Sequence, residues 1–529
     1  MSVADSRGAG LGWRRVVSLA AVALSLAALL ALGALVPSRH TAPTRQAVPS
    51  LLPSVDLTVG AAGVWSCPGP LPLGPKSAVS VSMTNPSSRP ATAGVLEVQT
   101  AVSGAGSPEH ALANQLSTVV IGAQSERTIT LSAEALPASV SPPTTAKGHR
   151  STPPTIFASV SVTASGAEIA VSETLTDGSG AVAAACADGS SGQAYTASGT
   201  TAGSSDTRVA LFNPTAAPAV VNLSVATGSG TVEPAAYQGL PVAPRSLYVV
   251  DIARYVPLRS QVAVSAKATV GRFVLGSLAT VDEEVMTNRL GPSHSYRVSG
   301  EELAVGVGCP LDRWVMPLGN VGPNESQAVQ LFDPGPRPAR VTLTSLLPKG
   351  KTTTLTVLVR PGQTVLAAAP VVWSGTRVDG GLTVTTAGRV GVVVEHETYL
   401  ALGRGRLGLI SFAPASRASA GWVLPGVQET KAYAVSVEIT DPGRRPVSAM
   451  VAEIASSAGA GAAPSQLTDV TVLPGTTAVV QLRSVVASNP GQSLGLEVRA
   501  AGPVLVRENL TPADRQLLGT IEEAVPVSS

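Results

Sequence analysis

The sequence predicts an all-β protein: a tandem array of four immunoglobulin-like β-sandwich domains that follows one N-terminal transmembrane helix. Three observations lead to this fold class. The composition favours strands and turns, one motif with an Asx-Pro turn recurs four times at domain-sized intervals, and an uncharged stretch of 21 residues lies near the N-terminus.

The composition points to strands more than to surface helices. Charged residues make up 13% of the 529 residues and aromatic residues 3%, whereas Gly (52) and Pro (42) are abundant. An apolar fraction of 44% supplies several buried cores, so a chain of this length is expected to hold three to five domains. The formal net charge is +2 without a long run of one sign, which makes nucleic acid an unexpected partner.

The apolar stretch from Val16 to Val36 has the length of a helix that crosses the hydrocarbon layer of a membrane. Arg14 and Arg15 precede it, and the positive-inside bias places the N-terminus in the cytoplasm and the rest of the chain outside. A cleaved signal peptide is the alternative. Signal peptides have shorter apolar regions, and a small-residue cleavage site does not follow clearly, so we expect a retained anchor.

Four segments share one pattern: an aromatic residue, an alternating strand, an Asn-Pro or Asp-Pro turn and a second alternating strand. The aromatic residues are Trp65, Tyr195, Trp314 and Trp422, and the turns are Asn85-Pro86, Asn213-Pro214, Asp333-Pro334 and Asp441-Pro442. The two features are 20, 18, 19 and 19 residues apart in the four copies. Constant spacing favours packing of the aromatic side chains in each domain core over a row of sugar-stacking platforms.

Successive turns are 128, 120 and 108 residues apart, which is the size of a sandwich domain and too long for a propeller blade. The predicted organisation is a cytoplasmic N-terminus (1–15), a transmembrane helix (16–36), a Pro/Ser/Thr stalk (37–58), repeat 1 (59–180) with a mobile insertion (136–155), repeat 2 (181–280), a linker with a short helical turn (281–304), repeat 3 (305–412), repeat 4 (413–520) and a tail (521–529).

The run that begins at Cys186, CADGSSGQAYTASGTTAGSSDTRVALFNP, together with WSCPGP around Trp65, resembles a family of actinobacterial secreted or membrane-anchored proteins catalogued as domain of unknown function 5719. The resemblance rests on a Cys, an aromatic residue, a Gly-Thr-Thr stretch and an Asn-Pro turn in this order. It implies single-pass proteins that are often encoded beside a membrane glycosyltransferase. It supplies no catalytic residue.

The three cysteines are Cys67, Cys186 and Cys309, an odd number for an exported protein. The resemblance implies a disulfide between Cys67 and Cys186, which would connect the first domain to the start of the second and leave Cys309 free. Three buried thiols that behave as small apolar side chains are the alternative.

Candidate catalytic and metal-binding patterns have ordinary structural explanations. The five histidines lack metal-ligand spacing, and only His396 lies on a predicted strand, where we expect a solvated or partly covered face. The one GxGxxG, at Gly403, Gly405 and Gly408, is expected to be an interdomain turn. Asp282, Glu283 and Glu284 are expected to lie in a solvated linker.

The expected function is therefore that of a non-catalytic, membrane-anchored extracytoplasmic protein of the cell envelope, a scaffold or accessory factor for a membrane glycosyltransferase or for envelope polysaccharide assembly. The alternative is a glycan-binding or glycan-active protein that acts on cell-wall polysaccharide. Expected partners are the cytoplasmic membrane through residues 16–36 and a membrane glycosyltransferase or envelope glycan. No cofactor and no metal ion are expected.

Overall fold

Strands dominate the computed structural model, and their order recurs four times along the chain. The structure describes residues 55–56, 63–102, 110–133, 154–177, 180–287, 294–321, 325–370, 378–403, 405–412, 414–427, 433–454, 465–482, 493–512 and 521–528. The predicted anchor, stalk residues 37–54 and insertion residues 136–153 lie outside this set. Among the described residues, no helix is long and apolar enough to cross a membrane.

Strands of the first repeat, preceded by a two-residue strand, open the fold. They are β1 (Val55–Asp56), β2 (Val64–Leu73), β3 (Ala78–Asn85), β4 (Ala91–Val102), β5 (His110–Ile121), β6 (Ser125–Leu131), β7 (Thr155–Ser165), β8 (Ala170–Thr176), β9 (Ala181–Ala185) and β10 (Ala187–Asp188).

The second repeat follows with one 3-10 turn, Ala235–Tyr237. Its strands are β11 (Gln193–Thr196), β12 (Asp206–Asn213), β13 (Ala219–Thr227), β14 (Gly230–Val232), β15 (Leu240–Val242), β16 (Ser246–Asp251), β17 (Val262–Val270), β18 (Val274–Thr287) and β19 (His294–Val305).

The third and fourth repeats complete the chain, with 3-10 turns at Pro348–Gly350 and Ala387–Arg389. The strands are β20 (Arg313–Val321), β21 (Glu325–Phe332), β22 (Ala339–Leu347), β23 (Lys351–Val359), β24 (Thr364–Ala368), β25 (Val378–Thr386), β26 (Val393–Gly403), β27 (Arg406–Phe412), β28 (Ser419–Val427), β29 (Tyr433–Thr440), β30 (Val447–Ile454), β31 (Ser465–Val472), β32 (Thr477–Gln481), β33 (Leu494–Pro512), β34 (Ile521–Glu523) and β35 (Val525–Ser528).

Each repeat contributes two antiparallel layers with a constant strand order. One layer runs β2-β7-β4-β5 in the first repeat, β11-β17-β13-β14 in the second, β20-β25-β22-β23 in the third and β28-β33-β30-β31 in the fourth. The other runs β6-β3-β8-β9, β16-β12-β18-β19, β24-β21-β26-β27 and β32-β29-β33-β34. In the fourth repeat, the 19-residue strand β33 serves both layers. The prediction of an all-β chain is confirmed.

Alternation in the strands before each Asx-Pro turn explains how the two layers pack. In β3 the side chains of Val79, Val81 and Met83 are fully buried and belong to one hydrophobic core with residues of β2, β4 and β7. The same period-two pattern buries Val435, Val437 and Ile439 in β29. One apolar face per strand is what a sheet needs in order to pack against a partner sheet.

The four Asx-Pro turns have the same geometry. The Asn85 Oδ1 accepts a hydrogen bond from the Ser87 backbone N–H, and its Nδ2 donates to the carbonyls of Arg89 and Gly122 at 2.7 and 2.8 Å. Asn213 repeats this with three acceptor carbonyls. Asp333 and Asp441 also accept from a backbone N–H two residues on, at 2.8 and 2.6 Å. The side chain thus closes the turn, as Asx residues do.

Repeats 2 and 3 are joined into one eight-stranded sheet, in the order β16-β12-β18-β19-β27-β26-β21-β24. The junction is a parallel pairing of β19 with β27, from Arg297 opposite Arg406 to Glu301 opposite Ile410. Residues 281–304, which the sequence assigns to a linker with a helical turn, instead supply most of the antiparallel hairpin β18–β19. The prediction of a linker is wrong, because alternate residues of these two strands are buried. The run of three acidic residues, Asp282 to Glu284, masks this alternation in the sequence.

Strand pairing also departs from the expected boundaries at residue 181 and at both ends of the body. Strand β9 pairs with β8 and β10 pairs with β2, so residues 181–188 complete the first repeat. Strand β35, in the expected tail, pairs with β28, and β1, at the end of the expected stalk, pairs in parallel with β35. These pairings connect residues far apart in the chain, which local sequence patterns do not reveal.

The predicted disulfide between Cys67 and Cys186 is confirmed, at a sequence separation of 119, and Cys309 is a free thiol. Both half-cystines are fully buried in the core of the first repeat. The expectation that the bond connects the first domain to the second is therefore wrong. Because Cys186 lies between β9 and β10, the bond closes the first repeat on itself.

The Asp turns differ from the Asn turns in one respect that predicts a stability difference. Asp333 and Asp441 are buried, and the Oδ2 atom of each has no hydrogen-bond partner among the described residues. Burial raises the pKa of both carboxyl groups. A carboxylate oxygen cannot donate to the carbonyls that the Asn Nδ2 reaches, so the Asp turns are less well satisfied at neutral pH.

We expect Asp333→Asn and Asp441→Asn each to increase the free energy of unfolding by about 1 kcal/mol at neutral pH, because an amide can donate where the carboxylate cannot. Denaturant titration of the purified protein measures this. Asn85→Asp and Asn213→Asp are the matched reverse substitutions and should destabilise by a similar amount. Equal stability of all four variants and the unchanged protein would contradict this account of the turn.

Candidate functional site

Four glutamates converge on one face of the shared eight-stranded sheet. Glu302 lies opposite Ala279 in the β18–β19 pairing, and Glu397 lies opposite Ser411 in the β26–β27 pairing. Glu395 is two residues from Glu397 and shares its face, as Glu283 shares the face of Ala279. The parallel β19–β27 junction brings these two halves together. We call Glu283, Glu302, Glu395 and Glu397 the glutamate cluster.

Repeat 2 covers the part of the cluster that repeat 3 supplies. The core of repeat 3 lies on the other face of its strands, where Val329, Val394 and Phe412 pack together. Glu395 and Glu397 therefore face away from that core, as surface residues of a single sandwich do. Ala197 and Ala263 of repeat 2 pack against the same sheet, and the Gln330 Nε2 donates to the Val262 carbonyl at 2.9 Å. Burial of the cluster is thus a product of the junction between repeats.

Burial and the neighbouring carboxylates raise the pKa of Glu302 and of Glu395. Glu302, Glu395 and Glu397 are 2–4% exposed. Burial raises the pKa of Glu302 well above its usual value, and the negative charges of Glu397, Glu395 and Glu283 raise it further. Burial, then the charge of Glu397, likewise raises the pKa of Glu395. Such surroundings favour the neutral form of these two carboxyl groups over the charged form.

Several polar atoms around the cluster have no hydrogen-bond partner among the described residues. They are the Glu302 Oε1, the Glu395 Oε1 and the hydroxyls of Thr196, Ser198, Ser277 and Ser411. By contrast, the Glu397 Oε2 accepts from the Tyr399 hydroxyl at 2.5 Å, and the Glu283 Oε2 accepts from the Thr200 hydroxyl at 3.3 Å. Unsatisfied buried groups are costly, so this interior region lowers the stability of the fold.

Paired carboxyl groups can act as general acid and base, but only where a substrate reaches them. Here the three innermost glutamates are buried beneath repeat 2, so a substrate would need the two repeats to separate. Among the described residues, no group of three or more His, Cys, Asp or Glu side chains has the arrangement to hold a metal ion. The chemistry that the present geometry supports is retention and loss of protons.

His396 lies on β26, on the opposite face from Glu395 and Glu397. The prediction that it lies on a solvated or partly covered face is wrong. Its ring is fully buried, its Nε2 lies 3.1 Å from the Gln327 Oε1, and its centroid is 4.6 Å from that of Phe412. Burial, then the positive charge of Arg507, lowers the pKa of His396 well below its usual value. The strand is covered on both faces, because the core of repeat 3 lies on this side and Arg507 of repeat 4 packs beside Phe412 at its edge.

Arg507 connects repeat 4 to repeat 3 on the His396 face. Its guanidinium forms a buried ion pair with Glu438 at 2.7 Å and lies 5.7 Å from the centre of the Phe412 ring. It also donates to the carbonyls of Pro317 and Leu318 at 3.5 and 3.3 Å. Each charge is thus paired and hydrogen-bonded, which offsets the cost of its burial.

The position of His396 recurs in the other repeats and carries ionisable side chains twice more. At the equivalent position of the four repeats, the residue lies opposite a buried valine of the neighbouring strand. The four pairs are Glu173 with Val81, Ser277 with Val209, His396 with Val329 and Glu508 with Val437. Burial raises the pKa of Glu173 and of Glu508 to about 8 in each case. Glu173 accepts from the Gly69 N–H at 3.2 Å, where β2 bulges.

The predicted aromatic residues are not brought together. Trp65, Trp314 and Trp422 are 0–1% exposed and lie in three different cores. The Trp314 indole N–H donates to the Val392 carbonyl at 2.9 Å, and the Trp422 N–H to the carbonyls of Ser419 and Val504. Tyr195 is half-buried, with its ring centroid 6.4 Å from that of Phe332. These placements accord with the packing role expected from their spacing.

Two further expected features have structural roles. Gly403 and Gly405, both with positive φ (83° and 73°), form the tight turn between β26 and β27. That turn lies within repeat 3, although it was expected between domains. Asp282 is a half-buried residue of β18 whose carboxylate pairs with Arg297 at 2.7 Å, while its neighbour Glu283 turns inwards to the glutamate cluster. The acidic run therefore divides between solvent and interior.

A polar cleft of about 300 Å³ lies where repeat 3 meets the β11-β17-β13-β14 layer of repeat 2. Ser224 and Ser265, which are opposite each other on β13 and β17, form one wall, and the Asp-Pro turn at Pro334 and Gly335 contributes another. Thr231, which donates its hydroxyl to the Gly362 carbonyl at 3.1 Å, and Glu233 complete the polar lining. Hydroxyls and a carboxylate in a cleft are groups that can bind a sugar.

Comparisons with known proteins give limited information. Residues 145–376 match the model of a family described as "Family of unknown function (DUF5719)". No curated protein matches the chain. Structural matches include a red sea bream transglutaminase (13% identity, 42% of this chain and 32% of that one, TM-score 0.09) and a calcium-binding mutant of Bacteroides uniformis β-glucuronidase 2 (8%, 49% and 28%, 0.11).

A further structural match is Streptomyces avermitilis α-L-rhamnosidase complexed with L-rhamnose, at 13% identity, 71% of this chain, 46% of that chain and a TM-score of 0.11. The chain thus spans less than half the length of each of these three solved structures.

The buried carboxyl groups predict that the protein loses stability as pH rises from about 6.5 to about 8. A raised pKa means that the folded state holds a proton that the unfolded chain has lost, so stability falls with pH between the unfolded and folded pKa values. Glu173 and Glu508, whose pKa values burial raises to about 8, act in this window. The low pKa of His396 acts in the opposite direction, but only below the unfolded value of 6.5.

We expect a loss of about 1 kcal/mol per group over this window, measured by calorimetry as a falling melting temperature. The double substitution Glu173→Gln with Glu508→Gln should flatten the dependence, whatever its effect on stability at pH 6.5. Glu284→Gln, at an exposed position of the same strand as Glu283, is the matched control and should leave the slope unchanged. A melting temperature that rises from pH 6.5 to 8 would contradict the prediction.

Proposed function

We propose that this chain is a non-catalytic, membrane-anchored extracytoplasmic protein of the cell envelope, in which four immunoglobulin-like repeats form a rigid scaffold. The observation that carries the proposal is the fusion of the repeats: one sheet of eight strands is shared by repeats 2 and 3. A shared sheet cannot hinge without breaking backbone hydrogen bonds, so the array holds a surface in a fixed place. That is what an accessory or assembly factor needs.

Contacts between the other repeats support the same reading. The Gly426 N–H of repeat 4 donates to the Glu126 carboxylate of repeat 1 at 3.0 Å, and the Ser172 hydroxyl donates to the Pro425 carbonyl at 3.2 Å. Arg507 crosses from repeat 4 to repeat 3. Leu278 and Leu303 of repeat 2 enter the core of repeat 1. Each repeat is thereby held by another.

An extracytoplasmic location is supported by the disulfide and by the sequence before the body. Structural disulfides persist in oxidising compartments outside the cytoplasm. The uncharged run at 16–36 has the length of a membrane anchor, and we propose that it retains the protein in the cytoplasmic membrane. The match over residues 145–376 supports membership in the family of unknown function named above, whose resemblance suggests a membrane glycosyltransferase as partner.

The test is site-specific photo-crosslinking of the full chain in cells of the native host. A benzophenone amino acid replaces Leu258, Leu358 or Leu473, which are 75%, 54% and 55% exposed and lie in repeats 2, 3 and 4. We expect the protein in the membrane fraction, its body accessible to external protease, and a crosslink from at least one position to an integral membrane protein. The matched control carries a cleavable signal peptide in place of residues 1–36 and should leave the membrane fraction.

Two results would contradict the proposal. Recovery of a soluble mature form that starts near residue 37 would remove the anchor. Crosslinks from all three positions to polysaccharide alone, with none to a membrane protein, would favour the glycan-binding alternative.

The polar cleft between repeats 2 and 3 is the observation that favours that alternative. Were it a saccharide site, Glu233→Gln and Ser265→Val would each weaken the binding of envelope oligosaccharides about tenfold, as the loss of one good hydrogen bond does. Isothermal titration measures this, and Asp312→Asn, an exposed acid outside the cleft, serves as control. An unchanged affinity in both cleft variants would remove the cleft as a glycan site.

A further inference from the structure

Strand β5 forms a long free edge of the first repeat. It has twelve residues, and among the described residues its strand neighbour is β4, on one side. At about 3.4 Å per residue the edge is about 40 Å long. A strand in this position exposes a row of backbone N–H and C=O groups that can pair with another strand.

The edge lacks the features by which proteins usually protect such strands. Residues 111–125 contain no charged residue and no proline. The side chains of Leu116 and Val120 point away from the core and are 72% and 69% exposed, the second and third most exposed large apolar residues in the described part of the chain. The corresponding edges of other repeats are better protected, since β23 begins at Lys351 and is followed by Arg360, and β31 contains Asp469.

The exposed apolar residues continue an established interface. Leu116 lies opposite Leu96 on β4. Leu96 packs against the cluster in which Val98 and Phe157 of repeat 1 meet the core of repeat 2. An apolar surface thus extends from the covered junction between repeats to the free edge at Leu116 and Val120. Exposed apolar surface that adjoins an interface indicates a further contact.

We propose that this edge is a self-association surface, on which β5 pairs antiparallel with β5 of a second copy of the chain. The strand is its own complement about Leu116: a two-fold axis there brings Leu116 beside its equivalent, Asn114 beside Thr118 and Leu112 beside Val120. No like charges meet in this arrangement, because the strand has none. The two five-stranded sheets become one sheet of ten strands.

A second copy satisfies the edge better than a one-sided partner strand does. A two-fold contact uses the same surface on both subunits, so it closes and leaves neither copy of β5 exposed. The association therefore ends at a dimer. It also removes a hazard, since an uncharged edge of this length otherwise invites unlimited pairing.

The test measures the mass of the full chain in detergent as a function of concentration, by light scattering coupled to size-exclusion chromatography. We expect a dimer whose dissociation constant rises at least about tenfold in the double variant Leu116→Lys, Val120→Lys, because lysines oppose each other across the two-fold axis. Both positions are exposed, so the melting temperature should change little. Leu355→Lys with Leu358→Lys, on the edge strand β23, is the matched control and should dimerise normally.

A second measurement fixes the geometry of the contact. Leu116→Cys in a Cys309→Ser background should form an interchain disulfide under mild oxidation, whereas Leu358→Cys should not. The proposal is overturned by a monomer at every concentration or by a dimer that the β5 lysines leave intact. It is also overturned by slow hydrogen exchange, in the monomer, of the β5 amides that do not donate to β4, which would show that the chain's own residues cover the edge.

Discussion

The parallel pairing of β19 with β27 is the constraint on which most of the structure depends. Repeats joined end to end normally keep their own sheets, whereas here two four-stranded layers become one. The two halves place their hydrophobic cores on opposite faces of that sheet. Consequently, the outward face of repeat 3 is covered by the β11-β17-β13-β14 layer of repeat 2, and side chains typical of a solvent-exposed face become buried.

Buried polar groups at the junctions follow from this arrangement. A strand face with Ser, Thr or Glu at alternate positions is normally exposed to solvent. Here a neighbouring repeat buries Glu395, Glu397 and Ser411. Where partners are present, as for Arg507 with Glu438, the cost of burial is offset. Where they are absent among the described residues, as for the Glu302 Oε1, the junction is kept in place by the apolar contacts around it and by its backbone pairing.

Local sequence patterns predicted local structure well. The Asx-Pro turns, the alternating strands beside them and the buried tryptophans all depend on residues within about twenty positions of each other. The same patterns misjudged residues 281–304, because their burial depends on repeats that are distant in sequence. They misjudged His396 because a polar side chain lies on the core face of repeat 3, beside Gln327 and Phe412. An acidic run such as Asp282, Glu283 and Glu284 looks like solvent-exposed linker, while alternate side chains in fact point to solvent and to the interior.

The glutamate cluster was beyond prediction for the same reason. Its members come from strands β18, β19 and β26, which are brought into one sheet only by the junction of repeats. The disulfide was implied by resemblance to a family, yet its structural role was not, because the boundary of the first repeat lies a few residues later than the aromatic spacing suggests.

The parallel pairing of β1 with β35 brings the first and last strands of the body together. Val55 lies beside Val527, so the polypeptide enters and leaves the body at the same place. A pulling force applied to the two ends would load this two-residue pair and the neighbouring β28 before any repeat is stretched. The two ends of the body are therefore held side by side, and a force on them acts at one place instead of along a linear array of repeats.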